Sequence, residues 1–239
     1  MALWADRPVS TGVRIDREVF DAGLRAHMVR IYNYMAIGLA VTGAVAFLVA
    51  NSPLGAAIFG SPLRWVAMLA PLAFVFMISF KAETMSFAKL QGLFWAFCAV
   101  MGVSMAAVFM VFASADIARA FFSAASVFAA ASLWGYTTRR SLDGMGGFMV
   151  VGLIGVIVAS LINIFVGSSA LQFAISIVAV VIFTGLTAWD TQRLKEQYAE
   201  NYGHEAAGKL AVMGALSLYL NFINLFQAML SLFGMSRDE

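Results

Sequence analysis

The chain predicts an all-α integral membrane protein of seven spanning helices, on three observations. Of its 239 residues 62% are hydrophobic and 12% charged, against about 45–50% and about 25% in a soluble domain. Seven apolar runs are each long enough, as helices, to cross a hydrocarbon layer about 30 Å thick. The basic residues also alternate in density between successive connections, as cytoplasmic and external loops do.

The N-terminal stretch, residues 1–28, mixes acids and bases without the apolar core of a signal peptide. It reads as a cytoplasmic segment, with the first span itself expected to direct insertion, uncleaved. The spans are predicted at 31–50, 63–80, 90–113, 117–138, 146–167, 170–190 and 211–234. Residues 29–235 thus read as one seven-helix domain, with 236–239 as a short tail. Connections are short except for 191–210, so sequential helices are expected to pack antiparallel in a single bundle.

Pro71 stands in the middle of the second predicted span. A proline there removes one backbone hydrogen bond and bends a helix, which leaves two readings, a static bend or a hinge. Cys98, the single cysteine, lies inside the third and has no internal disulfide partner.

Orientation follows from the cations. One side collects Arg7, Arg14, Arg17, Arg25, Arg30, Lys81, Lys89, Arg139, Arg140, Arg193, Lys195 and Lys209, twelve in all, and the other holds only Arg64, Arg119 and Arg237. The bias places the N-terminus in the cytoplasm and, with seven spans, the C-terminus outside. Cations scattered in this way, with a formal charge of +2, do not form the basic face that nucleic acid requires.

Two intramembrane features carry chemistry. On the last span Gly214, Ser217, Asn221, Asn224, Ala228 and Ser231 recur at steps of three and four and share one helical face. In lipid this face must turn inward, either to pack helix on helix or to line a hydrated path. The second feature is Asp190, in LTAWDTQRLK at the end of the sixth span. A carboxylate there is a candidate for titration or for weak cation binding. The plainer reading is a helix-end aspartate paired with Arg193 or Lys195, with Thr187 within hydrogen-bonding reach on the same face.

Several classes have no support. His27 and His204 lie outside the predicted spans, so no intramembrane ligand cluster offers a metal site. No embedded nucleophile and base pair is present, and no glycine-rich nucleotide loop. Neither an enzyme nor a cofactor is expected.

TAWDTQRLK (187–195) together with ALSLYLNFINLFQ (215–227) resembles the signature of the Bax inhibitor-1 family, the transmembrane Bax inhibitor motif proteins. IYNYMAIGLAVTG (31–43) resembles the first span of its bacterial members. The resemblance implies a bundle whose seventh span is central and surrounded by the other six, in a bacterial inner membrane. It further implies a pH-sensitive calcium leak channel, calcium being the permeant ion, in which two hydrogen-bonded aspartates form the pH sensor. The first falls on Asp190; the second falls on Asn221, where this chain departs from the pattern. Two nearby carboxylates titrate as a unit, whereas an aspartate and an asparagine share a hydrogen bond with one titratable member. In some relatives a basic residue near the end of the second span joins a closed-state lock, and Lys81 is the nearest here. The same resemblance carries an alternative, a regulator that binds a membrane-anchored ATP-dependent protease, with the N-terminal segment as the contact.

Overall fold

The computed structural model describes residues 11–198 and 203–235, which form eight helices and, among the described residues, no strands. They are α1 (Thr11–Ala50), α2 (Pro53–Phe59), α3 (Leu63–Lys81), α4 (Phe87–Val111), α5 (Ser114–Thr137), α6 (Asp143–Val166), α7 (Ser169–Glu196) and α8 (His204–Met235). Seven are long and apolar enough to cross a membrane; only α2, at 7 residues, is not.

Each expected span is present, but three extend beyond it. α1 begins at Thr11 rather than 31, so the segment expected to be free up to Met28 is helical where it is described. It packs on the chain just past α7: the Phe20 and His27 rings lie 5.3 and 5.4 Å from the Tyr198 ring, and Met28 is buried. Residues 1–10 and the tail 236–239 lie outside the described residues. α7 continues to Glu196, which leaves Asp190 inside a helix rather than at its end. α8 starts at His204, well before its apolar run. The short α2 escaped the sequence reading because a span search discards seven residues, although Pro53 suits a first helical turn.

One end of the bundle gathers the cations. Lys209 Nζ donates to the Glu83 carbonyl between α3 and α4, Lys195 Nζ to the Tyr136 carbonyl at the end of α5, and Gln192 to the Arg140 carbonyl. These bonds bring the α3–α4 turn, the α5–α6 loop, the end of α7 and the start of α8 to the same basic end.

Packing is in two layers. α8 is in backbone contact with α1, α4, α5 and α7, while α3 lies outside against α4 and α6 outside against α7. Of the six neighbours that the family resemblance implied, four therefore line the central helix directly and two form the outer layer. The layering matches the side chains: α6 presents Phe148, Val151, Ile164 and Phe165 outward, whereas Ala215, Leu218, Tyr219 and Leu225 of α8 are wholly enclosed. Hydrocarbon offers no hydrophobic drive between helices, so close contact depends on small residues. Gly135 of α5 is such a point, since a Cβ there would stand 2.1 Å from the Ala188 carbonyl oxygen of α7.

Gly135→Ala is therefore expected to lower the unfolding free energy by about 1–3 kcal/mol through overpacking. Gly144→Ala, where a Cβ would meet nothing within 4 Å, should leave stability unchanged or slightly raised. Denaturant unfolding in detergent micelles compares the two, and equal behaviour would contradict the tight α5–α7 contact.

Candidate functional site

The central feature of the bundle is a carboxylate held by the stripe on α8. Ser217 Oγ donates to Asp190 Oδ2 at 2.6 Å, and Asn221 Nδ2 donates to the same oxygen at 2.7 Å. Residues 217 and 221 are one turn apart, so one helical face delivers both donors. The meeting is possible because α8 begins at His204, about 20 Å of helix before Ser217, and because α7 continues past Asp190. Gly214, one turn before Ser217, lets Leu194 lie against α8: a Cβ on it would be 2.7 Å from the Leu194 side chain. The stripe thus runs along α7, and its polar members meet the polar members of that helix.

The partners expected from sequence spacing behave differently. Thr187 donates to the Phe183 carbonyl of its own helix at 2.7 Å and not to Asp190. Arg193 lies 5.5 Å from the Trp189 ring centre and Lys195 binds the Tyr136 carbonyl at 2.8 Å, so neither forms an ion pair with Asp190. Lys195 is drawn to the end of α5, and Arg193 lies over Trp189 of its own helix. Lys81 is exposed at the end of α3, a helix that touches α4 and α2 but neither α7 nor α8. The structure does not bring Lys81 to the carboxylate. Pro71 is buried in the same outer helix and is likewise remote from the site.

Beyond Asn221, away from the basic end, the stripe opens onto a cavity of about 230 Å³ between α6, α7 and α8. Ser160, Gln172, Ser176, Asn224, Gln227 and Ser231 supply its polar lining. Asn224 satisfies its own amide locally by donating to the Leu220 carbonyl at 2.7 Å, so it faces the cavity without bridging to another helix. Ser231 accepts from Gln172, whose carbonyl oxygen in turn accepts from Asn163. Polar lining therefore runs from Asn224 to Ser231, about 10 Å along the helix; Asn221, which donates to Asp190, lies about one turn before it on the same stripe and is not part of the lining.

Two hydroxyl chains flank the site, and the spacing rules did not reveal them. Thr191 donates to the Thr187 carbonyl, so Ser132 must donate to Thr191 and Tyr32 to Ser132, each hydroxyl having a single proton. By the same logic Thr42 donates to the Cys98 carbonyl and Tyr219 to Thr42. These chains tie α1 to α5, α7, α4 and α8. Isolated hydroxyls in apolar sequence were the available signal, but they are common in membrane helices and do not name their partners. Asp116, in the first turn of α5, is 4% exposed, with Arg119 at 3.5 Å.

Among the described residues no group of three His, Cys, Asp or Glu side chains could hold a metal ion. Asp190 would offer a cation one carboxylate with neutral neighbours, a weak and transient site rather than a resident one.

Asn221→Leu removes one of the two donors to a partly buried carboxylate and should reduce the unfolding free energy by about 1–3 kcal/mol. In an Asp190→Leu background the same substitution should cost much less. Chemical denaturation of the four proteins in micelles closes the cycle, and additive effects would rule out the coupling.

Comparison with known proteins agrees with this architecture. A family model described as "Inhibitor of apoptosis-promoting Bax1" matches residues 24–238. An uncharacterised protein of Caulobacter vibrioides is 42% identical over 236 residues, covering 94% of this chain and 94% of its own length. One from Rickettsia prowazekii is 40% identical over 222 residues, covering 92% and 94%. The inner membrane protein YbhL of Escherichia coli strain K12 is 37% identical over 220 residues, covering 90% and 94%. With a family match over nearly the whole chain and a bundle of seven spans, the protein belongs to the Bax inhibitor-1 family of integral membrane proteins.

Proposed function

We propose that the protein is a cation leak pathway of a bacterial inner membrane, with calcium as the permeant ion and Asp190 as its gate. The observation that carries this reading is that the α8 stripe which holds the Asp190 carboxylate through Ser217 and Asn221 goes on, about one turn further along the helix, to line the polar cavity from Asn224 to Ser231. A path through a bundle must replace the hydration of an ion with polar groups, and the cavity supplies hydroxyls and amides from three helices. About one turn of α8 beyond the lining, a carboxylate bound to that helix closes the way; released from Ser217 and Asn221, the same group becomes a cation ligand. The basic end is assigned to the cytoplasm by the distribution of Lys and Arg, which puts the cavity on the external side and the gate toward the cell interior.

Asn221 limits the pH response. Its amide donates to Asp190 without taking up or releasing a proton, so the locked state lacks the coupled titration that two carboxylates would have. The gate in this chain is accordingly set by a charged-to-neutral hydrogen bond rather than by a shared proton.

The test is calcium entry into proteoliposomes. The natural protein should pass calcium, and Asp190→Ala should change the rate several-fold by removing the group that closes the path. Asn221→Asp should add a steeper dependence on pH between about 6 and 8, as expected for a coupled carboxylate pair. Calcium entry that is equal with and without the protein would defeat the proposal.

A further inference from the structure

Among the described residues the backbones of α1 and α5 stay more than 8 Å apart at their Cα atoms, although both helices pack on α7 and α8. The seam between them opens at the basic end into a groove of about 460 Å³. This is within the range of about 300–1,000 Å³ usual for small-molecule sites. Val29 and Leu133 form its outer walls, exposed by 50% and 65%, and Met28 and Phe128 form its floor. The Tyr32 to Ser132 hydrogen bond crosses it. Because α1 and α5 both cross the membrane, the open side of the groove faces lipid.

The rim is charged. Arg25 lines the groove and has no ion pair among the described residues. It lies six residues before Ile31, about 9 Å along α1, where the apolar run gives way to the interface. Tyr136 lines the opposite rim, and Lys195 Nζ stands 5.7 Å from the centre of its ring. Arg25 thus stands at the mouth of an apolar slot continuous with the bilayer, while Lys195, outside the lining, donates to the Tyr136 carbonyl.

We propose that this groove holds one anionic phospholipid from the leaflet on the basic side, with its phosphate on Arg25 and an acyl chain between α1 and α5. The occupant follows from charge and access together. A cationic rim selects an anionic headgroup, and hydrocarbon-facing walls select a chain already present in the membrane rather than a solute from water. The proposal does not depend on the channel reading.

The experiment is native mass spectrometry of the full chain in detergent, reloaded with equal amounts of phosphatidylglycerol and phosphatidylcholine of the same chain composition. One lipid per chain should be retained, with phosphatidylglycerol favoured about fivefold, the scale of a single close cation. Arg25→Gln, a substitution at an exposed position, should cut that preference to about twofold or less while leaving thermal unfolding unchanged. Ala129→Trp, which fills the groove, should reduce retention of both lipids; if that variant fails to fold, Arg25→Gln alone decides. Equal retention of the two lipids by the natural protein overturns the proposal, as does a preference that survives Arg25→Gln. Lipid-free dimers would also overturn it, since a second copy of the chain would then cover the seam. Displacement by glycerol phosphate at millimolar concentration would assign binding to the headgroup alone and overturn the role of the groove.

Discussion

A carboxylate inside a membrane-spanning bundle has to find its donors within the protein, and the bond between Asp190 and the α8 stripe is the constraint on which the rest of the arrangement depends. Water is absent from the hydrocarbon layer, and an unpaired carboxylate there costs several kcal/mol. Ser217 and Asn221 supply two donors to one oxygen, and only one antiparallel register of α7 and α8 brings them there. A slip of α8 by one residue along α7 would rotate the stripe by about 100° and present Leu218 or Phe222 to the carboxylate.

That register has consequences along the whole of α8. Toward the basic end it seats Leu194 on Gly214; toward the other end it places Ser231 beside Gln172 and leaves the cavity between them. The remaining circumference of α8 is buried by α1, α4 and α5, which is why its large apolar residues are as enclosed as its polar ones. The last helix is therefore not amphipathic in the usual sense of one face in and one face out. Its two faces meet two kinds of protein surface, one polar and one apolar.

Asn221 fits this frame without strain. An amide and a carboxylate form a charge-assisted hydrogen bond, so one acid and one amide hold α7 and α8 together here. Compared with two acids, what changes is the chemistry: the pair has a single titratable member. Ser217 reinforces the same arrangement by donating to the same carboxylate oxygen. The carboxylate's place and the register of the bundle are thus maintained by the same two hydrogen bonds.

By itself the sequence determined the class, the seven spans, the basic end and the polar face of the last helix. Each of these follows from local period and composition, and lipid punishes any polar group left facing outward. It also placed Asp190 and Asn221 in separate helices as the residues to watch, Asn221 through the spacing of the stripe, with its pairing to Asp190 implied by the family resemblance. Only the tertiary structure decided how they meet. Sequence distance pointed Asp190 toward Thr187, Arg193 and Lys195, all within five residues of it, yet its partners stand 27 and 31 residues away on another helix. The same holds for the burial of Asp116, the remoteness of Lys81 and the open seam between α1 and α5. Contacts of this kind depend on which helix is central and how far each one extends beyond the membrane, and those properties belong to the packed bundle, not to any one segment of the chain.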